Sequence, residues 1–148
     1  MSRWLFVSIF IFWTITGCSS HQEALQILKI DQKELKIELA DSPQEWAKGL
    51  MYRKTLPENQ GMLFAFPQAR RASFWMQNTY VPLSIAFINR EGEILEIHDM
   101  QPLDATPIQS LSSDIWFALE VNQGWFERNG IEAGDFLDAK KFQPLLTK

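Results

Sequence analysis

The only cysteine in the chain is Cys18, at the end of an apolar run, so the remainder of the chain must hold together without an internal disulfide or a cysteine-based zinc module. Packing alone has to suffice. Of 148 residues, 46% are hydrophobic and 13% aromatic, enough for one domain with a buried core and too many for a disordered chain. The formal net charge is -4 and no basic run is longer than Arg70-Arg71, so the electrostatic footprint of a nucleic-acid binder is missing.

Residues 1–17 read MSRWLFVSIFIFWTITG: an early Arg3, an uncharged apolar run from Trp4 to about Ile15, then small residues. That is the order of a secretory signal peptide. The run is interrupted by Ser8, Thr14 and Thr16 and is shorter than the roughly 20 apolar residues a membrane-spanning helix requires. Ile15-Thr16-Gly17-Cys18 resembles the lipobox of bacterial lipoproteins. The resemblance implies cleavage before Cys18 and a diacylglycerol on its sulfur, with several acyl chains giving a stable anchor. With Ser19 following, it also implies the outer membrane and a periplasmic location. Residues 18–32 are then the lipidated Cys and a tether, polar from Ser19 to about Lys29.

In the mature chain, Leu35, Ile37 and Leu39 alternate with Lys36 and Glu38, the period of a half-buried strand. Ser42-Pro43-Gln44-Glu45 has the form of a capping box and predicts a helix to about Met51. Met62 to Phe66, closed by Pro67, and Ser73 to Met76 are short strand candidates. Pro82 to Ile88 and Glu93 to Met100 read as a hairpin across Asn89-Arg90-Glu91-Gly92. Pro102 to Ser113 reads as a long loop, Trp116 to Val121 as a strand, and Asn122 to Asn129 as a short helical turn capped by Gly130. A last strand is expected near Phe136 to Ala139. The predicted fold over residues 33–140 is α+β and mostly β: a compact antiparallel sheet curled into a partial barrel, with one or two short helices. Residues 141–148 form a C-terminal tail.

No nucleophile motif, phosphate loop or cofactor motif is present, so the sequence points to no cofactor and no resident metal. The expected activity is that of a non-enzymatic envelope binding module for a small ligand or protein partner. Arg53, Trp75, Asn78, His98 and Glu120 are the candidate binding residues, and Trp116 and Trp125 add to the aromatic and polar mixture of a recognition site. Glu120 is an acid in an apolar strand. It either pairs with Arg53, Arg70 or Arg71 or points into a cavity with a perturbed pKa. A hydrolase-like alternative gathers His98, Asp99 and Glu120 around one cleft. A second alternative is a weak Cu(I) site drawing on Met51, Met62, Met76, Met100, His98 and Trp75. Because these lie on separate elements, at most Met100 and His98 are expected to be available together.

Gly49-Leu50-Met51, Gly61-Met62-Leu63-Phe64, Phe74-Trp75-Met76-Gln77-Asn78-Thr79, Pro82-Leu83, Ala118-Leu119-Glu120-Val121 and Gly130-Ile131 before Gly134-Asp135 together resemble the domain of unknown function 192 family, over about residues 33 to 140. The resemblance implies a small β-rich exported domain and no established reaction. Two positions depart from the family pattern: Ser84 stands where an Asp is usual, and Gln77 where a basic residue is usual. Part of the motif from Phe74 to Thr79 is expected to line the main pocket.

Overall fold

The run Leu83-Ser84-Ile85-Ala86-Phe87-Ile88 is buried at every position, which a strand sustains only when both faces of its sheet are covered. The computed structural model describes residues 25–144 and shows both coverings. Residues 1–24, which include the expected signal peptide, Cys18 and most of the expected tether, and residues 145–148 lie outside the described residues.

In chain order the elements are β1 (Gln26–Ile30), β2 (Lys33–Ala40), α1 (Pro43–Lys48), β3 (Gln60–Arg70), β4 (Ser73–Phe74), β5 (Leu83–Ile88), β6 (Ile94–Met100), β7 (Ile108–Gln109), β8 (Ile115–Asn122) and α2 (Trp125–Arg128). Six strands form one sheet in the order β1-β2-β3-β8-β5-β6, and β4 pairs with β7 in a small second sheet. The α+β, mostly β class is as the patterning predicts. Leu63, Ala86, Phe117 and Leu119 point to one face, beneath Trp125, Phe126 and Phe142. Phe64, Ile85 and Phe87 point to the other, beneath Leu50, Met76 and Val81. Residues 134–138 curl the sheet by bonding toward both of its edges: Asp138 N–H donates to Lys29 O, and Leu137 N–H to Gly92 O. The result is an incomplete barrel.

Several expectations are corrected. The sheet is mixed, because β2 and β3 run parallel. Parallel neighbours need a crossover, and the segment containing α1 supplies it. Residues 26–30, expected in the tether, form edge strand β1, whose Leu28 and Ile30 enter the core while Lys29 stays outside. Ile27, apolar yet 42% exposed, stands directly before Leu28 and hides this three-residue alternation. Pro67 does not end β3, which continues to Arg70 past an irregularity in its pairing with β8. The segment from Pro102 to Ser113 contains β7, and the expected last strand is reduced to isolated bridges at Phe136 and Leu137. Ala139–Lys141 then form a 3-10 turn, and Phe142 is buried, so the fold extends beyond residue 140.

The capping box at α1 is present as predicted. Ser42 Oγ accepts from Glu45 N–H, and the Glu45 carboxylate accepts from Ser42 N–H at 3.0 Å. The helix stops at Gly49, short of Met51, because Gly49 turns to φ 47° while its N–H donates to Glu45 O.

Ser84 has a defined structural task. Its hydroxyl donates to Asp99 Oδ1 and accepts the N–H of Gly124, the residue before α2, at 2.8 Å. One buried oxygen thereby joins β5, β6 and the start of α2. Ser84→Ala removes both bonds and is expected to lower the unfolding free energy by about 1–2 kcal/mol in urea titrations. No change would show that neither bond contributes.

Candidate functional site

Pairing register places Glu38, Met62, Glu120, Ile85 and His98 in one row across β2, β3, β8, β5 and β6. All five project to the same face. Neighbouring strands are about 4.8 Å apart, so Glu120 stands roughly 10 Å from both Glu38 and His98 along the row. Between them, Met62 and Ile85 are ordinary core residues. Glu120 is not.

Above Glu120 lies a cleft of about 300 Å³. Its walls are Trp46 from α1, Gly49, Leu50 and Met51 from the turn after it, Phe64 and Phe66 from β3, and Phe74, Trp75 and Thr79. Lys48, Arg70 and Arg71 are exposed around it. The rings pack on one another: Phe64 meets Phe74 edge to face at 4.9 Å, and Trp46 meets Phe66 at 5.5 Å. Trp75 is 48% exposed and forms part of the rim. Two backbone bonds hold this wall. Met76 N–H donates to Asp104 O, and Leu103 N–H donates to Thr79 O, so the long loop clamps the motif at its middle and at its last residue.

The Glu120 side chain lines this cleft, is only 4% exposed, and has no hydrogen bond or ion pair among the described residues. Of the two readings left open by the sequence, the geometry fits the cavity-facing one. Burial pushes its carboxyl up to about 8, because the charged form loses hydration that nothing nearby replaces. At neutral pH the group is mostly the uncharged acid, able to donate a hydrogen bond. A cationic ligand would convert it to the carboxylate.

The other candidates lie elsewhere. Arg53 grips Glu38 with two hydrogen bonds, its Nη1 at 2.6 Å from Oε1, beside rather than within the cleft. Asn78 serves the turn: it adopts φ 59°, its backbone O accepts from Tyr52 N–H, and its amide donates to the Tyr52 hydroxyl at 3.2 Å. His98 bonds to Glu96 at 2.7 Å and packs by the Phe87 ring. Trp125 is buried, with its indole N–H on Asn59, and Trp116 lies under the Arg90 guanidinium. Within the motif, Phe74, Trp75 and Thr79 line the cleft, whereas Met76 is core.

The hydrolase-like trio is not assembled. Asp99 follows His98 on a strand and therefore points to the opposite face, where it meets Ser84, while Glu120 shares the face of His98 two strands away. Met62, Met76 and Met100 pack in the apolar cluster, as cores use them, and Met51 lines the cleft apart from them. Sequence reading misses Trp46, Phe64 and Phe66, because the resemblance marks only Phe64 among them and gives no sign that the three meet at the motif that begins with Phe74. In the sequence, Arg70 and Arg71 stand out only as partners for Glu120, and they border the cleft instead.

Four of the sequence blocks behind the family resemblance, those beginning at Gly49, Gly61, Phe74 and Ala118, contribute cleft residues. Residues 26–139 match the family model DUF192, described as "Uncharacterized ACR". The chain belongs to the DUF192 family. The match begins at β1, in accord with the corrected start of the fold. Two solved structures are similar to this DUF192 chain. One is a proposed transcription regulator from Sinorhizobium meliloti, 34% identical with a TM-score of 0.75, over 78% of this chain and 94% of that one. The other is a protein of unknown function from Novosphingobium aromaticivorans, 32% identical with a TM-score of 0.73, over 77% of this chain and 84% of that one. No match was found among curated proteins.

Proposed function

We propose that the chain is an exported lipoprotein whose folded domain is a non-enzymatic binding module for a small ligand. It is anchored through Cys18 to the outer membrane and faces the periplasm. The observation that carries the binding reading is the Glu120 carboxyl, buried without a partner at an aromatic-lined cleft. An unpaired buried acid costs stability, and the two row neighbours show that an apolar side chain fits this environment. A volume near 300 Å³ lies at the small end of ligand sites, and such concavity suits a small molecule better than a protein face. The regulatory role proposed for the Sinorhizobium protein is not carried over, because this chain has a formal charge of -4 and no basic run longer than Arg70-Arg71.

The binding reading is tested with an exposed cleft residue on α1. Ala47→Trp should fill the cleft without disturbing the core. In a ligand-observed NMR screen of periplasmic small molecules, wild type should bind compounds that the variant does not. Equal binding by both proteins would remove the cleft as the site. The anchor is supported by the order of Arg3, the apolar run and Cys18. Globomycin should accumulate the precursor, and Cys18→Ser should move the domain out of the membrane fraction. A variant that is processed and sediments as before would overturn the anchor.

A further inference from the structure

Resting on the ligand-site reading, we propose that the cleft takes a zwitterion: an organic ammonium against Glu120, joined by a short apolar spacer to an anionic group that meets Arg70 and Arg71 at the mouth. Three observations select this class. First, a buried acid without a hydrogen-bond donor is best compensated by a positive charge, which supplies both the Coulomb attraction and the N–H donors the site lacks. Second, Trp46, Phe64, Phe66, Phe74 and Trp75 surround the space, and aromatic rings with one carboxylate are a cation-binding combination. Third, Lys48, Arg70 and Arg71 border the cleft. A bare cation would meet these like charges on entry, whereas a ligand carrying an anion at its outer end meets opposite ones.

The two arginines are held in place for such a contact. Arg70 rests its guanidinium over the Phe66 ring at 5.1 Å, and Arg71 is braced by one Nη2 bond to Leu111 O at 3.1 Å. Both keep further donors, in the fork geometry that suits a carboxylate. The spacer is apolar because the walls between mouth and floor are rings and Leu50, and its length is bounded by the cleft volume.

Ammonium binding at Glu120 requires the ionised carboxylate, so below the pKa of the empty cleft it must displace a proton. Other charges near the cleft or on the row are Lys48 at the end of α1, Arg70 and Arg71 at the end of β3, the Glu38–Arg53 pair reaching β2, and the His98–Glu96 pair on β6. Affinity should rise as pH goes from 6 to 8 and level off above 8, provided the ligand amine stays protonated.

Isothermal titration calorimetry on the full chain in nonionic detergent, at pH 8.5, tests the class with 6-aminohexanoate, hexylamine and hexanoate. The zwitterion should bind at least tenfold more tightly than either single-charge analogue. Glu120→Gln should weaken it at least tenfold and abolish its pH dependence, and Arg70→Ala with Arg71→Ala should erase its advantage over hexylamine. Hexanoate binding as well as 6-aminohexanoate, unaffected by Glu120→Gln, would overturn the zwitterion while leaving a ligand site blocked by Ala47→Trp. Absence of binding by all three probes would also overturn it, and the Ala47→Trp screen would still decide the broader reading separately.

Discussion

Glu120→Gln is expected to raise the unfolding free energy by about 2–4 kcal/mol at pH 7, a rare case of a single polar substitution stabilising a core. Its carboxyl moves from an ordinary 4.5 to about 8 on burial. Between those values the folded protein holds a proton that the unfolded chain has released. The contribution of the neutral acid is therefore fully present below pH 4.5, declines through the window, and is lost once pH passes 8. Within the window the slope approaches about 1.4 kcal/mol per pH unit. Glutamine has nearly the same shape and no proton to lose, so the variant should lack this dependence. Urea unfolding of both proteins from pH 5 to 9 isolates the effect, because titration of other groups cancels in the difference. A difference that does not change with pH would mean that Glu120 finds water or a donor in the folded state and is not desolvated.

The parts of this fold that are legible in the sequence are those decided by neighbours in the chain. Leu35 and Ile37 announce β2 by alternation, Ser42 and Glu45 announce α1 by capping chemistry, and the segment ending in Gly92 announces the hairpin of β5 and β6. Features that depend on distant partners are not legible there. The parallel pairing of β2 with β3 follows from where α1 carries the chain, and Leu28 and Ile30 count as core only because residues 137–142 cover them. The candidate site divides in the same way. Glu120 is conspicuous as an acid among apolar residues, but its lack of a partner cannot be read while Arg53, Arg70 and Arg71 are all available. Arg53 in fact pairs with Glu38, fifteen positions earlier, and the other two lie at the cleft mouth. Strand alternation already sets His98 and Asp99 on opposite faces. Which face Glu120 shares becomes clear only from the register across β5.

Gly61→Ala is expected to cost about 3 kcal/mol and to lower the melting temperature by roughly 10 °C, although it adds one methyl group. Left-handed backbone is not the cause, since Gly61 is absent from the positive-φ residues. Space is. Gly61 pairs with Val121 between the two central strands, and a Cβ there would lie 2.4 Å from the carbonyl oxygen of Glu120 and 3.0 Å from Val121 Cγ1. A flexible side chain could swing aside, but a backbone carbonyl in the middle of a six-stranded sheet moves only if β8 moves with it. The strand that must shift is the one carrying Glu120, so the same substitution should also weaken ligand binding in the cleft. Gly130→Asn is the control: Gly130 has φ 68°, which Asn tolerates, and a Cβ added there would meet nothing within 4 Å. Thermal unfolding should separate the two variants by several degrees. If they unfold together, close approach of β3 to β8 is not what requires glycine at position 61, and the coupling of that contact to the cleft falls with it.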